Sequence, residues 1–263
     1  MLIALEYLGS VGVGVTSPRM FRANDDNIYV VKLQNNCMGT KVLVNEYIAC
    51  WFGKKMELCF PYGDLLAIDE QVFKENRGLK RAGIEARLHF ASQYIHSNRY
   101  VTRHELQRAI NKKVMAGVML FDHMFHNVDR TKNRRNLLVC CEEKKYVLYA
   151  IDNSHLFIRG RWNAEVLAQL VDKTPINHWR AYGWLLKYFL TAGDFIPYAT
   201  KINTISNEEL TQLVESIPEE WLSRNTEREA LLQYMMKRCN MVETIVTKLC
   251  KSISNIHRST YFY

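Results

Sequence analysis

Asp129, Asn136 and Asp152 stand in the order that transfer of a phosphoryl group from a nucleotide requires. Asp129 lies in the polar loop Asn127-Val128-Asp129-Arg130-Thr131, directly after a long apolar helical pattern. Asn136 opens the apolar run Leu137-Leu138-Val139, and Asp152 closes the next run, Tyr149-Ala150-Ile151. Two short strands joined by Glu142-Glu143-Lys144-Lys145 bring Asn136 and Asp152 to the same end of a hairpin. An Asn and an Asp there suit a magnesium ion that bridges phosphate oxygens, and an acid in the preceding loop suits a hydroxyl nucleophile.

The N-terminal half holds complementary parts. Tyr29-Val30-Val31-Lys32-Leu33 reads as a strand carrying a lysine, the kind of lysine that pairs nucleotide phosphates. Before it lie Gly9, Gly12 and Gly14, and glycines allow backbone N–H groups to approach phosphate oxygens closely. After it, residues 41–52 have helical character with Glu46 in the middle, placed to hold the Lys32 ammonium toward a nucleotide.

Each of these residues has a plainer reading. A lysine at a strand end is usually a solvated edge charge, Glu46 suits a helix surface, and the glycines suit a hairpin or bulge. Asp129, Asn136 and Asp152 all suit turns. His123 and His126 invite a metal reading beside Asp122 and Asp129. Two histidines without a third strong ligand more often pack or bond loop backbone. The six candidates gain weight from standing together in one order.

That set resembles the HipA-like kinases, in their compact single-domain bacterial branch. The residues that carry the resemblance are Tyr29-Val30-Val31-Lys32, Leu43-Val44-Asn45-Glu46, His89-Phe90-Ala91-Ser92, Asn127-Val128-Asp129-Arg130-Thr131, Asn136-Leu137-Leu138 and Ile151-Asp152. It runs from about residue 5 to 160, with weaker echoes beyond. The resemblance implies an α+β, two-lobed protein-kinase-like fold with a β-rich N-lobe (1–95) and a mainly helical C-lobe (96–263). It implies ATP and Mg2+ as cofactors and a protein Ser/Thr acceptor. It also implies that residues 89–94 cross between the lobes, with Phe90 and Ser92 near the adenine edge.

Gly12, Gly14 and Lys32 complete the expected nucleotide contacts, with Asp129, Lys32 and Glu46 catalytic and Asn136 and Asp152 on the metal. The chain departs from the pattern in two places. Asn153-Ser154-His155 replaces a glycine-containing segment, and Arg134 stands five residues after Asp129, where many kinases have the metal Asn. Asn136 is preferred because a strand follows it, and Asn133 competes. Three classes stay open: an active protein kinase, a weak or inactive nucleotide-binding module, and a kinase of a small molecule or lipid head group.

Composition agrees with an enzyme of two lobes or two small domains. The 263 residues are 48% apolar, enough for a full core. No segment offers about 18 uninterrupted apolar residues, so a membrane span is not expected. The start lacks the basic lead of a secretory signal, and seven cysteines without paired spacing suit reduced thiols, so a cytoplasmic location is expected. A net charge of +8 suits nucleic acid or an acidic protein partner, and equally a solvated basic face with a phosphate-binding cleft. Nucleic acid is not expected, because no helix-turn-helix, zinc-finger or aromatic RNA-binding signature accompanies the charge.

These elements must position the site. Residues 1–70 read as β-rich with one helix, and 65–68 as a strand. Residues 71–88 are polar, irregular or partly helical. A strong helical pattern runs from Thr102 to Phe125, with Thr102 and Glu105 as a capping box and Ile110, Val114, Val118 and Phe121 at helical spacing. Residues 161–251 read as helices punctuated by Pro175, Pro197 and Pro218. Ser206 with Glu209 makes a second capping box, and the last long helix begins near Asn225. The five tryptophans are expected in core and groove positions.

Overall fold

The computed structural model describes residues 1–12, 14–97, 99–142 and 145–259. Val13 of the glycine segment and Glu143 and Lys144 of the hairpin tip lie outside the described residues. The chain is a mixed α and β structure in which five strands come first. They are β1 (Leu2–Ser10), β2 (Arg19–Ala23), β3 (Ile28–Lys32), β4 (Gly63–Ile68) and β5 (Leu88–Gln93), with α1 (Lys41–Met56) between β3 and β4. The strands close into a barrel in the order β1-β2-β3-β5-β4. Antiparallel pairing makes most of it, and a parallel pairing of Leu2–Ala4 with Leu66–Ile68 closes it.

Strand side chains alternate between faces. Leu2 and Ala4, Phe21 and Ala23, Tyr29 and Val31, and Leu66 and Ile68 fill the barrel interior. Lys32 therefore faces the other way from Val31, toward α1. The short helices α2 (Glu70–Glu75) and α3 (Arg77–Arg81) follow β4. Asp69 caps α2 by accepting from the N–H groups of Gln71 and Val72.

The expected crossing at 89–94 is instead β5. Phe90 pairs with Lys32 and Leu65, and Ser92 with Val30 and Gly63, so the backbone of both is engaged within the barrel. Ala91 points into the barrel while Phe90 joins the second core, which burial on both faces requires. The passage to the C-terminal half starts after Gln93.

The 102–125 pattern also breaks. After β6 (Arg99–Tyr100) it forms α4 (Arg103–Arg108), a 3-10 turn and α5 (Met115–Met124). The break has a cause at Asn111. Its side chain accepts from Leu148 N at 2.8 Å and donates to Leu148 O at 2.9 Å, replacing helix bonds with a bridge to a neighbouring strand. Ile110, expected on the apolar face, is 62% exposed. The Thr102–Glu105 and Ser206–Glu209 capping boxes are both present.

Beyond α5 come α6 (Asp129–Lys132), β7 (Leu137–Glu142) and β8 (Lys145–Ala150), then α7 (Ala164–Leu170), α8 (Ala181–Tyr188), α9 (Ile196–Asn203), α10 (Asn207–Glu215), α11 (Asn225–Asn240) and α12 (Val242–Ser259). Strands β6, β7 and β8 make a separate sheet. The last helical stretch is thus two helices, divided at Met241. The larger hydrophobic core does not stop at residue 95. It includes Val42, Leu43, Ile48 and Phe52 of α1, Phe90 of β5, and the helices of the C-terminal half. Trp162 and Trp221 lie in that core, whereas Trp179 is 61% exposed. No helix among the described residues is long and apolar enough to cross a membrane.

Candidate active site

Lys32 at the end of β3 meets Glu46 in the second turn of α1. Its ammonium bonds Glu46 Oε1 and, at 2.7 Å, Asp152 Oδ1. Asn153 N also donates to Glu46 Oε1, at 2.9 Å. Asp152 adopts φ 59°, a left-handed conformation rare outside glycine, and its Oδ1 accepts from Ser154 N at 3.2 Å and Ser154 Oγ at 2.6 Å. Burial opposes the charge on Lys32, but the carboxylates of Asp152 and Glu46 outweigh it and hold the ammonium above its ordinary range. Burial also opposes the Asp152 charge. Lys32 and the Ser154 donors outweigh it and hold that carboxyl well below its ordinary range. Glu46 is raised, because burial is its largest influence and exceeds the pull of Lys32.

The second cluster begins at Asp129, the first residue of α6. Asn136 Nδ2 donates to Asp129 Oδ2 at 2.7 Å, and Asn136 O accepts from Ile151 N at 2.9 Å. Pairing of Leu137 with Ala150 sets Asn136 beside the Asp152 end of the hairpin, as the sequence spacing requires. Asn133 is engaged elsewhere: its Oδ1 accepts from Arg135 N at 3.1 Å and caps the 3-10 turn of residues 134–136. His155 connects the two clusters. Its Nδ1 lies 3.9 Å from Asp129 Oδ2 and 3.1 Å from Ser154 Oγ. Lys32, Glu46, Asp152, Ser154, His155, Asp129 and Asn136 thus form one continuous polar chain.

Arg130 ties the segments that bear these residues. It is wholly buried, and its Nε donates to Asp122 Oδ2 at 2.8 Å. Its Nη1 reaches Ile151 O at 2.6 Å and Asn136 O at 3.4 Å, and its Nη2 bonds Asn153 Oδ1. Asp122 also accepts from Tyr182 Oη and, at 3.1 Å, from Asn127 Nδ2. The loop after Asp152 is held from α1. Asn45 Nδ2 donates to Ser154 O at 2.7 Å and Gly160 O at 3.2 Å, while its Oδ1 accepts from Trp162 Nε1 at 2.9 Å. Gly160 sits at φ 73°, and a Cβ there would come within 2.3 Å of Ser154 O, so the close approach requires glycine.

Between β1 and β2, Gly12 (φ 80°) and Gly14 (φ 105°) take conformations open chiefly to glycine. Among the described residues, no hydrogen bond joins them to Lys32, Glu46 or Asp152. Phe90 and Ser92 lie behind the Lys32–Glu46 pair, where with Cys50, Phe60 and Asp152 they line a cavity of about 20 Å3. A concavity of about 830 Å3 between Ile68, Arg87, Leu88 and Pro218–Glu220 is built by none of the residues in the polar chain.

The donor set suits a hard divalent cation. The Asn136 amide NH2 is committed to Asp129, leaving its carbonyl oxygen as an acceptor. Asp152 has its Oδ1 engaged, and its side chain is 32% exposed. One carboxylate and one amide oxygen completed by phosphates is a magnesium-type arrangement. His123 and His126 do not form a metal site. His123 Nε2 accepts from Asn177 N at 2.9 Å, and His126 Nε2 donates to Lys173 O at 2.9 Å. No cluster of three His, Cys, Asp or Glu suited to a metal occurs among the described residues.

This architecture is that of a kinase. It is similar to the Helicobacter pylori proinflammatory kinase CtkA, with a TM-score of 0.56 over 94% of this chain and 96% of that one, at 12% identity. The chain belongs to the HipA-like kinase family, whose model matches residues 5–251. No curated protein matches the sequence.

Sequence reasoning assigned no part to Asn45, Ser154 or His155, and admitted Arg130 either as a brace of the loop or at the transferred phosphate. A signal for Arg130 was present: Asp122 is a lone carboxylate inside the apolar helix 115–124 and demands a buried cation.

The buried histidines carry a pH consequence. Burial lowers His126 and His89 to about 4, and His123 is lowered as well. Folded pKa values below the unfolded value mean that stability is fully present above about pH 6.5 and is lost as pH falls toward 4. Melting temperature should therefore fall steadily from pH 7 to 4.5, with His89 and His126 each contributing on the order of 1–3 kcal/mol. Replacing His126 by Gln should flatten the profile. An unchanged slope would remove His126 from this account.

Proposed function

We propose that the protein is a two-lobed, ATP- and magnesium-dependent kinase that phosphorylates Ser or Thr of a protein, working in the cytoplasm. The observation that carries this reading is the polar chain from Lys32 and Glu46 through Asp152 to Asp129 and Asn136. It joins a phosphate-binding cation to an acid beside a metal-type ligand pair. In this reading Lys32, held by Glu46, binds the α and β phosphates, and the β1–β2 turn with Gly12 and Gly14 covers them. Asn136 and Asp152 hold magnesium, which neutralises charge on the transferred phosphoryl group. Asp129, oriented by Asn136, positions the acceptor hydroxyl and takes its proton. The backbone after Gln93, rather than that of Phe90 and Ser92, is the span available to an adenine edge.

A second reading has an observation of its own. Lys32 bonds Asp152 directly, and Asn153-Ser154-His155 replaces the glycine-containing segment. Both fit a module that binds nucleotide without transferring phosphate. Transfer of labelled γ-phosphate to proteins of a cell extract decides between the two, and label found on a small molecule moves the acceptor class.

Two results are expected. ATP with magnesium at about 100 times its Kd should raise the melting temperature by roughly 5–10 °C, and Lys32→Ala should abolish most of that rise. An equal rise in both proteins would take Lys32 out of the site. Asn136→Ala and Asp152→Asn should each lower magnesium-dependent transfer by about 10²-fold or more, with Asn133→Ala within a few fold of wild type. The reverse ranking of Asn133 and Asn136 would move the metal ligand to Asn133.

A further inference from the structure

Three stretches of chain touch Asp129 or its loop and contain no acidic residue: 130–141, 153–164 and 173–193. Arg130 is withdrawn into the interior, but Lys132, Arg135, Arg159, Arg161, His178 and Arg180 are exposed. Within these stretches no acid offsets the exposed bases, so each carries one sign of charge.

The third stretch is fixed to the catalytic loop. Asn177 Nδ2 donates to Thr131 Oγ1 at 2.7 Å, Asn177 N donates to His123 Nε2 at 2.9 Å, and Arg180 bonds Lys132 O. Arg180 holds φ 52°, a strained value for a non-glycine residue. Trp179 N donates to Asn177 Oδ1 at 3.2 Å. A large aromatic side chain is thereby presented to solvent on a strap anchored within two residues of Asp129. The second stretch reaches toward the β1–β2 turn. Arg161 donates to Cys37 O at 3.2 Å, and Cys37 Sγ donates to Val15 O in the β1–β2 turn at 3.2 Å.

We propose that this face docks the protein acceptor, and that the acceptor hydroxyl lies in an acidic segment. Carboxylates flanking the hydroxyl meet Lys132 and Arg135, and an apolar side chain of the segment packs on Trp179. The proposal rests on the kinase reading of Asp129 and adds the substrate class. Charge complementarity selects an acidic partner. A single exposed tryptophan favours a peptide over a nucleic-acid strand, whose binding calls for a succession of stacking platforms.

The test uses the full chain and three fluorescein-labelled peptides, each with one Ser flanked by Glu, by Gln or by Lys. Anisotropy should show the Glu peptide binding on the order of tenfold more tightly than the Gln peptide at low ionic strength, with the gap closing as salt rises. Lys132→Glu/Arg135→Glu should erase that preference and gain affinity for the Lys peptide, with the ATP-dependent melting shift retained. Trp179→Ala should weaken all three peptides. Equal affinity for the Glu and Gln peptides overturns the proposal, as does a preference that survives the charge reversal. Displacement of the Glu peptide by single-stranded RNA at lower concentration than by unlabelled peptide overturns it too. Label transfer keeps the two readings apart. Selective binding of the Glu peptide without transfer sinks the kinase reading and upholds the docking face. Equal transfer to the Glu and Gln peptides upholds the kinase and sinks the acidic specificity.

Discussion

Replacing Asp129 by Asn should cut phosphoryl transfer by about 10²-fold or more and leave ATP affinity unchanged, the signature of a group that acts on the acceptor. Asn136 Nδ2 fixes the Asp129 carboxylate, while Lys32 and Asp152 form the cluster read as the nucleotide end. The substitution keeps the size of the side chain and removes both the charge and the proton acceptor. Single-turnover transfer and ATP binding are to be measured on one preparation. Equal transfer rates in the two proteins would strip Asp129 of its role. Loss of ATP affinity in parallel with transfer would place it at the nucleotide instead.

The second large effect is structural. Arg130→Met should cost about 3–5 kcal/mol, because it leaves the Asp122 carboxylate, only 2% exposed, without its cation. For a chain of this size that is a fall in melting temperature of roughly 10 °C or more. The loss reaches the site as well. Arg130 bonds the carbonyls of Asn136 and Ile151 and the side chain of Asn153, so the loop of Asp129, the start of β7 and the end of β8 lose their common brace. Adding Asp122→Asn should recover part of the stability, since the uncompensated charge is then gone. A melting temperature for Arg130→Met within a degree of wild type would refute the brace, and so would costs for the two changes that simply add.

The parts of the fold legible beforehand were those set by local pattern. The alternation in Tyr29–Lys32 marks β3 and the face of its lysine, and Thr102, Ser206 and their partners mark helix starts by capping chemistry. The Asp129–Asn136–Asp152 order was legible because two short strands admit one hairpin register. Long-range pairing was not legible. The parallel pairing of β1 with β4 joins segments some 60 residues apart, and no local signal specifies it. The apolar spacing of 102–125 concealed the break at Asn111, whose bonds to Leu148 are tertiary. Segment 89–94 was misplaced because Phe90 and Ala91 are buried on opposite faces, which blurs the two-residue period. Trp179 was expected inside and stands outside. Composition does not distinguish a core tryptophan from one held at the surface by a strap.

α1 carries Glu46, and it is anchored to the C-terminal half as well as to the barrel that carries Lys32. Thr40, just ahead of it, donates to Trp221 O at 2.8 Å, and Tyr47 Oη donates to Ser216 Oγ at 3.1 Å. Lys41 pairs with Glu227, Lys55 with Glu209, and Asn45 is locked to the loop behind Asp152. Swinging this helix outward would break all of these, open the main core and part Cys50 Sγ from Gly63 O at the start of β4. The Lys32–Glu46 contact thus ties a barrel strand to a helix that is fastened on both sides. α1 serves as a fixed post for the ammonium and not as a lever.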